Sequence, residues 1–115
     1  MKRIEAIVAS EKVLDVNEAL KNAGVGGCTI LDAKGRGKGE KPVVETGRGT
    51  GRYTSEFSVR AAVVIIVEDS DVDKVIKTIV DTVSTGSAGD GKIFVSQINE
   101  AVDIGTKKRG QTAIV

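Results

Sequence analysis

Phe57-Ser-Val-Arg-Ala-Ala-Val-Val-Ile-Ile-Val67 is the stretch on which the fold turns. Alternation puts Phe57, Val59, Ala61, Val63, Ile65 and Val67 on one face, while Ala62, Val64 and Ile66 make the other face apolar as well. A strand with two apolar faces belongs in the middle of a sheet or in a subunit interface. Immediately after it, Val72, Val75, Ile76, Ile79, Val80 and Val83 fall on one helical stripe. Ser70, with Asp73 three positions on, predicts an N-terminal cap pair for that helix, and Thr85-Gly86 predicts its end. Lys92–Ser96 reads as a short closing strand, and the tail from Gln97 is mixed and polar.

Working back toward the N-terminus, residues 2–8 alternate between Ile4, Ala6, Val8 and Arg3, Glu5, Ile7, the pattern of a half-buried strand. Ser10 is the expected N-cap of a helix carrying Val13, Val16, Ala19, Leu20 and Ala23, with Asn22 and Gly24 as its stop. A second strand is expected through Cys28, Ile30 and Ala33, with Thr29 and Leu31 on its other face. The order is β-α-β, long loop, β-α-β. It predicts an α+β, ferredoxin-like βαββαβ sandwich with both helices on one face of an antiparallel sheet. The other face then needs a cover, which a symmetric oligomer supplies.

Composition narrows the function. A chain of 115 residues makes one domain, 1–115, and 17 basic against 16 acidic residues argue against a globally basic nucleic-acid coat. There is no histidine, so catalytic triads, Cys–His pairs and His-ligated metals are excluded. Cys28 is the single cysteine and reads as a small core or interface residue. The opening MKRIEAIVASEK is charged within three residues and lacks the apolar run of a signal peptide, and no stretch is long and apolar enough to span a bilayer. A cytoplasmic, non-enzymatic protein with no membrane insertion is the expectation.

Two glycine-rich stretches interrupt the pattern. Residues 34–56, KGRGKGEKPVVETGRGTGRYTSE, hold the only proline and a majority of basic over acidic charges. A connection of this length inside a small domain is usually functional. The second stretch, Gly86-Ser-Ala-Gly-Asp-Gly-Lys-Ile93, fits the glycines and lysine of a phosphate-binding loop, G-x4-G-K-[ST]. It then fails at Ile93, which has no hydroxyl for Mg²⁺, and it lies between a helix and a strand in the reverse of the required order. What survives is the physics of small residues that let backbone N–H groups converge on an anion, beside the charge of Lys92. Both glycine clusters adjoin what read as neighbouring central strands, so they could face one cleft from two sides.

These residues carry a resemblance. Thr85-Gly-Ser-Ala-Gly-Asp-Gly-Lys-Ile-Phe-Val95 is similar to the signature TG-x-x-GDGKIFV of the PII nitrogen-regulatory signalling family. Lys34-Gly-Arg-Gly-Lys38 is like the KG-x-GR opening that family's T-loop, and Ala6 to Lys12 matches its AI-x-x-x-x-K opening. The resemblance covers essentially the whole chain. It implies a homotrimer that binds ATP or ADP, with AMP a further candidate, in clefts between subunits. It implies a T-loop at about 36–56, a B-loop at about 85–92 and a C-terminal loop at about 103–115. On that mapping Gly89, Asp90, Gly91 and Lys92 hold the phosphates, Gly37 and Lys38 approach from the T-loop base, and Thr29 and Ile66 lie near the adenine. Arg60 matches the cation for 2-oxoglutarate, and Tyr53 matches the tyrosine that some bacterial members have nucleotidylylated. The implied partner of the T-loop is an ammonium transporter or an enzyme of nitrogen metabolism.

The chain also departs from that pattern. Gly39 stands where the family has a glutamine that ligates Mg²⁺ and bridges to 2-oxoglutarate, so the resemblance implies a weakened effector site. Asp103-Ile-Gly105 replaces the R-x-R that clamps the outer phosphates, with Lys107, Lys108 and Arg109 close by as substitutes. The T-loop is slightly longer than usual. Two other readings stand beside this one. A ferredoxin-like sheet can bind RNA, but three aromatics, two of them expected to be buried, leave almost none for base stacking. A structural trimer with vestigial nucleotide clefts would follow from the missing arginines.

Overall fold

In the computed structural model, residues 1–37, 43–45, 52–54 and 57–115 are described, the two short internal segments by their backbone alone. The alternation near the N-terminus forms β1 (Lys2–Ala9), with Ile4, Ala6 and Val8 buried. The next stripe forms α1 (Val13–Asn22), which buries Val16 and Leu20. Gly24 closes it in the left-handed region at φ 81°. β2 (Thr29–Gly35) follows, then two short strands, β3 (Val43–Glu45) and β4 (Arg52–Thr54). The apolar run is β5 (Ser58–Val67), and the second stripe is α2 (Val72–Val83), buried at Val75 and Ile79. β6 (Gly91–Gln97) completes the main sheet.

That sheet runs β2-β5-β1-β6 and every pairing is antiparallel. This is the expected ferredoxin-like order, with α1 and α2 side by side over one face. The core between the layers is almost wholly aliphatic: Ile4, Ala6, Val8, Val16, Leu20, Val63, Ile65, Val67, Val75 and Ile79. β5 is a central strand, as its two apolar faces required. The opposite face carries Ile7, Val64 and Ile66 in mid-sheet, with Leu31 at 52% and Phe94 at 56% exposure toward its edges.

Several local expectations are corrected. Neither Ser10 nor Ser70 caps a helix with its side chain. Each lies in a single 3-10 turn, Ser10–Lys12 and Asp69–Asp71, which tightens the chain before the α-helix begins. Ala33 shares its face with Thr29 and Leu31, because all three pair with residues on the open side of β5, and Cys28 precedes the strand. Phe57 and Val59 are exposed, since that end of β5 extends past the covering helices. The expected loop contains the β3–β4 ladder, in which Val44 pairs with Tyr53. β2 and β6 are the two edges of the main sheet, so the glycine clusters do not adjoin neighbouring central strands.

Two contacts fix the ends of the sheet. The Met1 ammonium lies 3.0 Å from the Asp69 carboxylate, and the Met1 carbonyl accepts the Ile98 N–H at 3.0 Å. At the other end Gly91, at φ 128°, pairs with Val8, and a Cβ there would run into the Ile7 carbonyl oxygen. Only glycine fits both the backbone conformation and the space. Gly91→Ala is expected to destabilise the domain by roughly 3–5 kcal/mol, combining backbone strain with overpacking. A urea denaturation midpoint that stays at the wild-type value would show that β6 can move away from β1 without penalty.

Candidate functional site

The turn between α2 and β6 is organised by one carboxylate. Asp90 accepts the Thr85 N–H at 2.6 Å, the Thr85 hydroxyl at 2.6 Å and the Ser87 N–H at 3.3 Å. The Ser87 hydroxyl in turn accepts the Gly89 N–H at 3.1 Å, and the Asp90 N–H reaches the Ser87 carbonyl at 3.1 Å. Ser87 and Asp90 thereby form a reciprocal capping box around a 3-10 turn at Ala88–Asp90. Gly86 at φ 84° supplies the left-handed step into it. These bonds hold the Asp90 carboxyl below its ordinary value, the Thr85 hydroxyl contributing most and the Thr85 amide next.

The converging amides expected for an anion are therefore present, but the chain's own carboxylate sits among those of Thr85 and Ser87. Positive charge comes from outside the turn. Arg60 on β5 donates Nη1 to the Gly89 carbonyl at 2.9 Å and Nε to the Ser58 hydroxyl at 3.0 Å. Ser58 donates to the Gly35 carbonyl at 3.2 Å. The two glycine clusters are thus joined across the sheet through Arg60, although they adjoin opposite edge strands. Lys92 pairs with Ile7 and so lies on the open face of β6. Beside the turn, a cavity of about 350 Å³ is walled by Val8, Ile79, Val83 and Ile93, with Gly91 and Lys92 at its margin.

A second and larger cavity, about 690 Å³, opens at the other end of the sheet. Thr29, Val64 and Ile66 form one wall, the Gly24–Cys28 segment another, and Ala113–Val115 a third. Cys28 is half-buried there, its Sγ 3.8 Å from Asn17 Oδ1. The tail reaches this cavity through a tight hairpin in which Val102 bridges Arg109. Asp103 accepts the Thr106 N–H at 2.8 Å, and the Lys107 N–H bonds the Asp103 carbonyl at 2.8 Å. The Thr106 amide is the main cause of a lowered Asp103 pKa, the Thr106 side chain the next. Lys107 takes φ 64°, and Ile104 at the hairpin tip is 94% exposed. Arg109 pairs with Glu100 at 3.6 Å.

The sequence-predicted residues therefore separate into two groups. Gly37, Arg60, Gly89, Asp90, Gly91 and Lys92 belong to the turn end of the sheet, and Thr29 and Ile66 to the cavity at the far end. Thr29 and Gly35 stand at opposite ends of β2, about 20 Å apart at strand rise. Lys38 and Gly39 lie outside the described residues, as does the side chain of Tyr53. Ser58 and Ser87 were missed, although Ser87 with Asp90 three positions on was a readable capping box. Among the described residues no group of three or more Cys, Asp or Glu side chains could hold a metal ion, and no helix is long and apolar enough to cross a membrane.

Comparison with known proteins gives a consistent answer. The family model described as nitrogen regulatory protein P-II matches residues 1–108. Nitrogen regulatory protein P-II 2 of Methanothermobacter thermautotrophicus is 40% identical over 114 residues, covering 99% of this chain and 97% of the relative. The nitrogen regulatory proteins P-II of Rhodospirillum rubrum and Azospirillum brasilense are 41% and 40% identical over 99% of this chain and 100% of their own.

The Asp90 anchor has a pH signature. Its folded pKa is depressed, so its contribution is present above the unfolded carboxylate value and is lost as pH falls through the folded one. Asp90→Asn is expected to lower stability at neutral pH and to converge on wild type in acid below about pH 4. Parallel denaturation midpoints for the two proteins at neutral pH would show that Asp90 does not hold the turn.

Proposed function

The chain belongs to the nitrogen regulatory protein P-II family, and on that premise we propose that it is a non-catalytic signalling regulator of nitrogen metabolism that reads adenine nucleotides in clefts between subunits. The observation that carries this reading is the split site. A cavity lined by Thr29, Val64 and Ile66 opens toward one end of the sheet and the glycine turn lies at the other, with Arg60 four residues, about 13 Å at strand rise, from Val64. With the two parts at opposite ends of the sheet, a nucleotide can bridge the cavity of one copy and the turn of the next. A head-to-tail contact whose rotation closes makes a ring, here proposed to be a homotrimer, and the exposed Leu31–Phe94 face gives the copies an apolar surface to bury.

In this reading Thr29 and Ile66 flank the adenine, while Gly89, Gly91 and Lys92 meet the phosphates and Asp90 shapes the turn from within. Gly37 and Lys38 complete the site from the base of the 36–56 loop. Arg60 is the cation available to a 2-oxoglutarate carboxylate. The loop then selects an ammonium transporter or a nitrogen-metabolism enzyme in the cytoplasm, with Tyr53 as a contact or modification point. Phe57 and Phe94 are both exposed, against the expectation that two of the three aromatics are buried, and of these Phe94 gives the nucleic-acid alternative one aromatic on the open face of the sheet. Its row across that face runs through Glu5, Val64 and Thr29, with Ile7 diagonal to it, and these offer no further stacking platform.

Calorimetric titration with ATP, ADP and AMP, each with and without Mg²⁺ and 2-oxoglutarate, tests the reading. Micromolar binding at one site per chain is the expected result, and a 2-oxoglutarate response would show that Gly39 is compensated. Absence of heat with every nucleotide would leave a structural trimer. Replacing Lys107, Lys108 and Arg109 together by Ala is expected to weaken ATP roughly tenfold or more, through lost charge-assisted contacts. Unchanged ATP affinity would remove these three from the site.

A further inference from the structure

The hydrogen bonds from Gly89 to Gly35 form an unbroken line. Arg60 gives Nη1 to the Gly89 carbonyl and Nε to the Ser58 hydroxyl, and that hydroxyl gives its proton to the Gly35 carbonyl. Because Ser58 Oγ accepts from Arg60, its single proton is directed to Gly35. Gly35 and Ser58 pair with each other as the last rung of the β2–β5 ladder, so they are the points where the chain leaves the sheet and re-enters it. The stem of Arg60 packs over the same rung, since a Cβ on Gly35 would lie 3.4 Å from Arg60 Cγ.

We propose that Ser58 and Arg60 are positioning residues that couple the state of the glycine turn to this last rung. The proposal rests on the nucleotide reading above and adds the route by which occupancy reaches the loop. In the observed position the guanidinium spends Nη1 on a neutral carbonyl. An anion at the turn offers the same nitrogen a charge-assisted bond, about twice as strong, so it binds the displaced guanidinium better than the observed one. Drawing Arg60 off Gly89 shifts Nε from Ser58, frees the hydroxyl to rotate and weakens its hold on Gly35. The rung that anchors both ends of the long segment then loosens, with no contact needed between ligand and rung.

Hydrogen exchange read by mass spectrometry tests this on the full chain, with ADP as the probe. In wild type, ADP is expected to speed exchange at residues 33–37 and 57–60 by about fivefold, the worth of one net hydrogen bond. Ser58→Ala should exchange at the faster rate without ADP and show no further response, while its calorimetric ADP affinity rises by up to the same fivefold, since the coupling is reciprocal. Ser58→Thr should restore the response. Without ligand, Arg60→Gln should speed exchange at 33–37 and at 84–91 together. A wild-type ADP response in Ser58→Ala, or ligand-free exchange in Arg60→Gln equal to wild type at either segment, overturns the coupling. If wild type binds no ADP, the nucleotide reading fails, and the ligand-free Arg60→Gln result decides separately whether the relay exists.

Discussion

The close approach of Gly91 to the Ile7 carbonyl is the constraint on which the rest of the turn end depends. It lets β6 enter the sheet directly from the turn, with Gly91 opposite Val8. From that register Ile93 and Val95 face the helices, and Lys92 and Phe94 face the open side. A slip of one residue would drive Lys92 into an aliphatic core and lift Ile93 out of it. The same register sets Gly89 just beyond the end of β1, within reach of Arg60 on the strand at β1's other side. A glycine with no side chain thus decides where the turn's carbonyl and the nearest cation meet.

The sheet faces two different problems. On one side two amphipathic helices bury Ile4, Val63, Ile65, Val75 and Ile79, and no polar or charged residue is buried among the described residues. On the other, Ile7, Val64, Ile66, Leu31 and Phe94 share an open face with the Arg3–Glu5 pair, and the chain's tail approaches it only at the cavity beside Val64 and Ile66. A domain of this size gains from covering such a face. The proposed ring covers it and also brings the far-end cavity of one copy toward the turn of another. Assembly and ligand binding then share one geometric cause, the separation of Thr29 from Gly35 along a single strand.

Much of this was readable in the residues, and the exceptions have physical reasons. The period of two in β1 and the period of 3.6 in α2 arise from burial on one side, so both elements were legible to within a residue or two. β5 announced its central place by being apolar on both faces. The caps at Ser10 and Ser70 misled because a 3-10 turn satisfies the first amides without a side chain, a choice that local sequence does not encode. The face of Ala33 was misassigned because alanine fits either side and only pairing with Arg60 fixes it. At the turn, glycines and Lys92 signalled an anion site, but the role of Asp90 as the turn's internal anion depends on Thr85 lying within hydrogen-bond reach. The link through Ser58 and Arg60 joins residues from three elements, and no spacing in the sequence could show it.

The hairpin at 102–109 shows how a loss of charge can be a gain of shape. Where the family pattern places two arginines, Asp103 and Gly105 build a tight turn: the carboxylate takes the Thr106 N–H, and the Asp103 carbonyl takes that of Lys107. The negative charge of Asp103 is therefore engaged with its own backbone. Lys107 is held in the left-handed region, a conformation unusual for a lysine, and Lys108 follows it with its N–H on the Thr106 hydroxyl. Arg109 is steered to Glu100, so the hairpin's two lysines are the cations that no ion pair engages among the described residues. A lysine is a compact point charge, whereas an arginine presents a bidentate fork. A phosphate met by this hairpin would be attracted without being gripped in one geometry. In the proposed clefts that difference favours tolerance among nucleotides over strict selection by phosphate number.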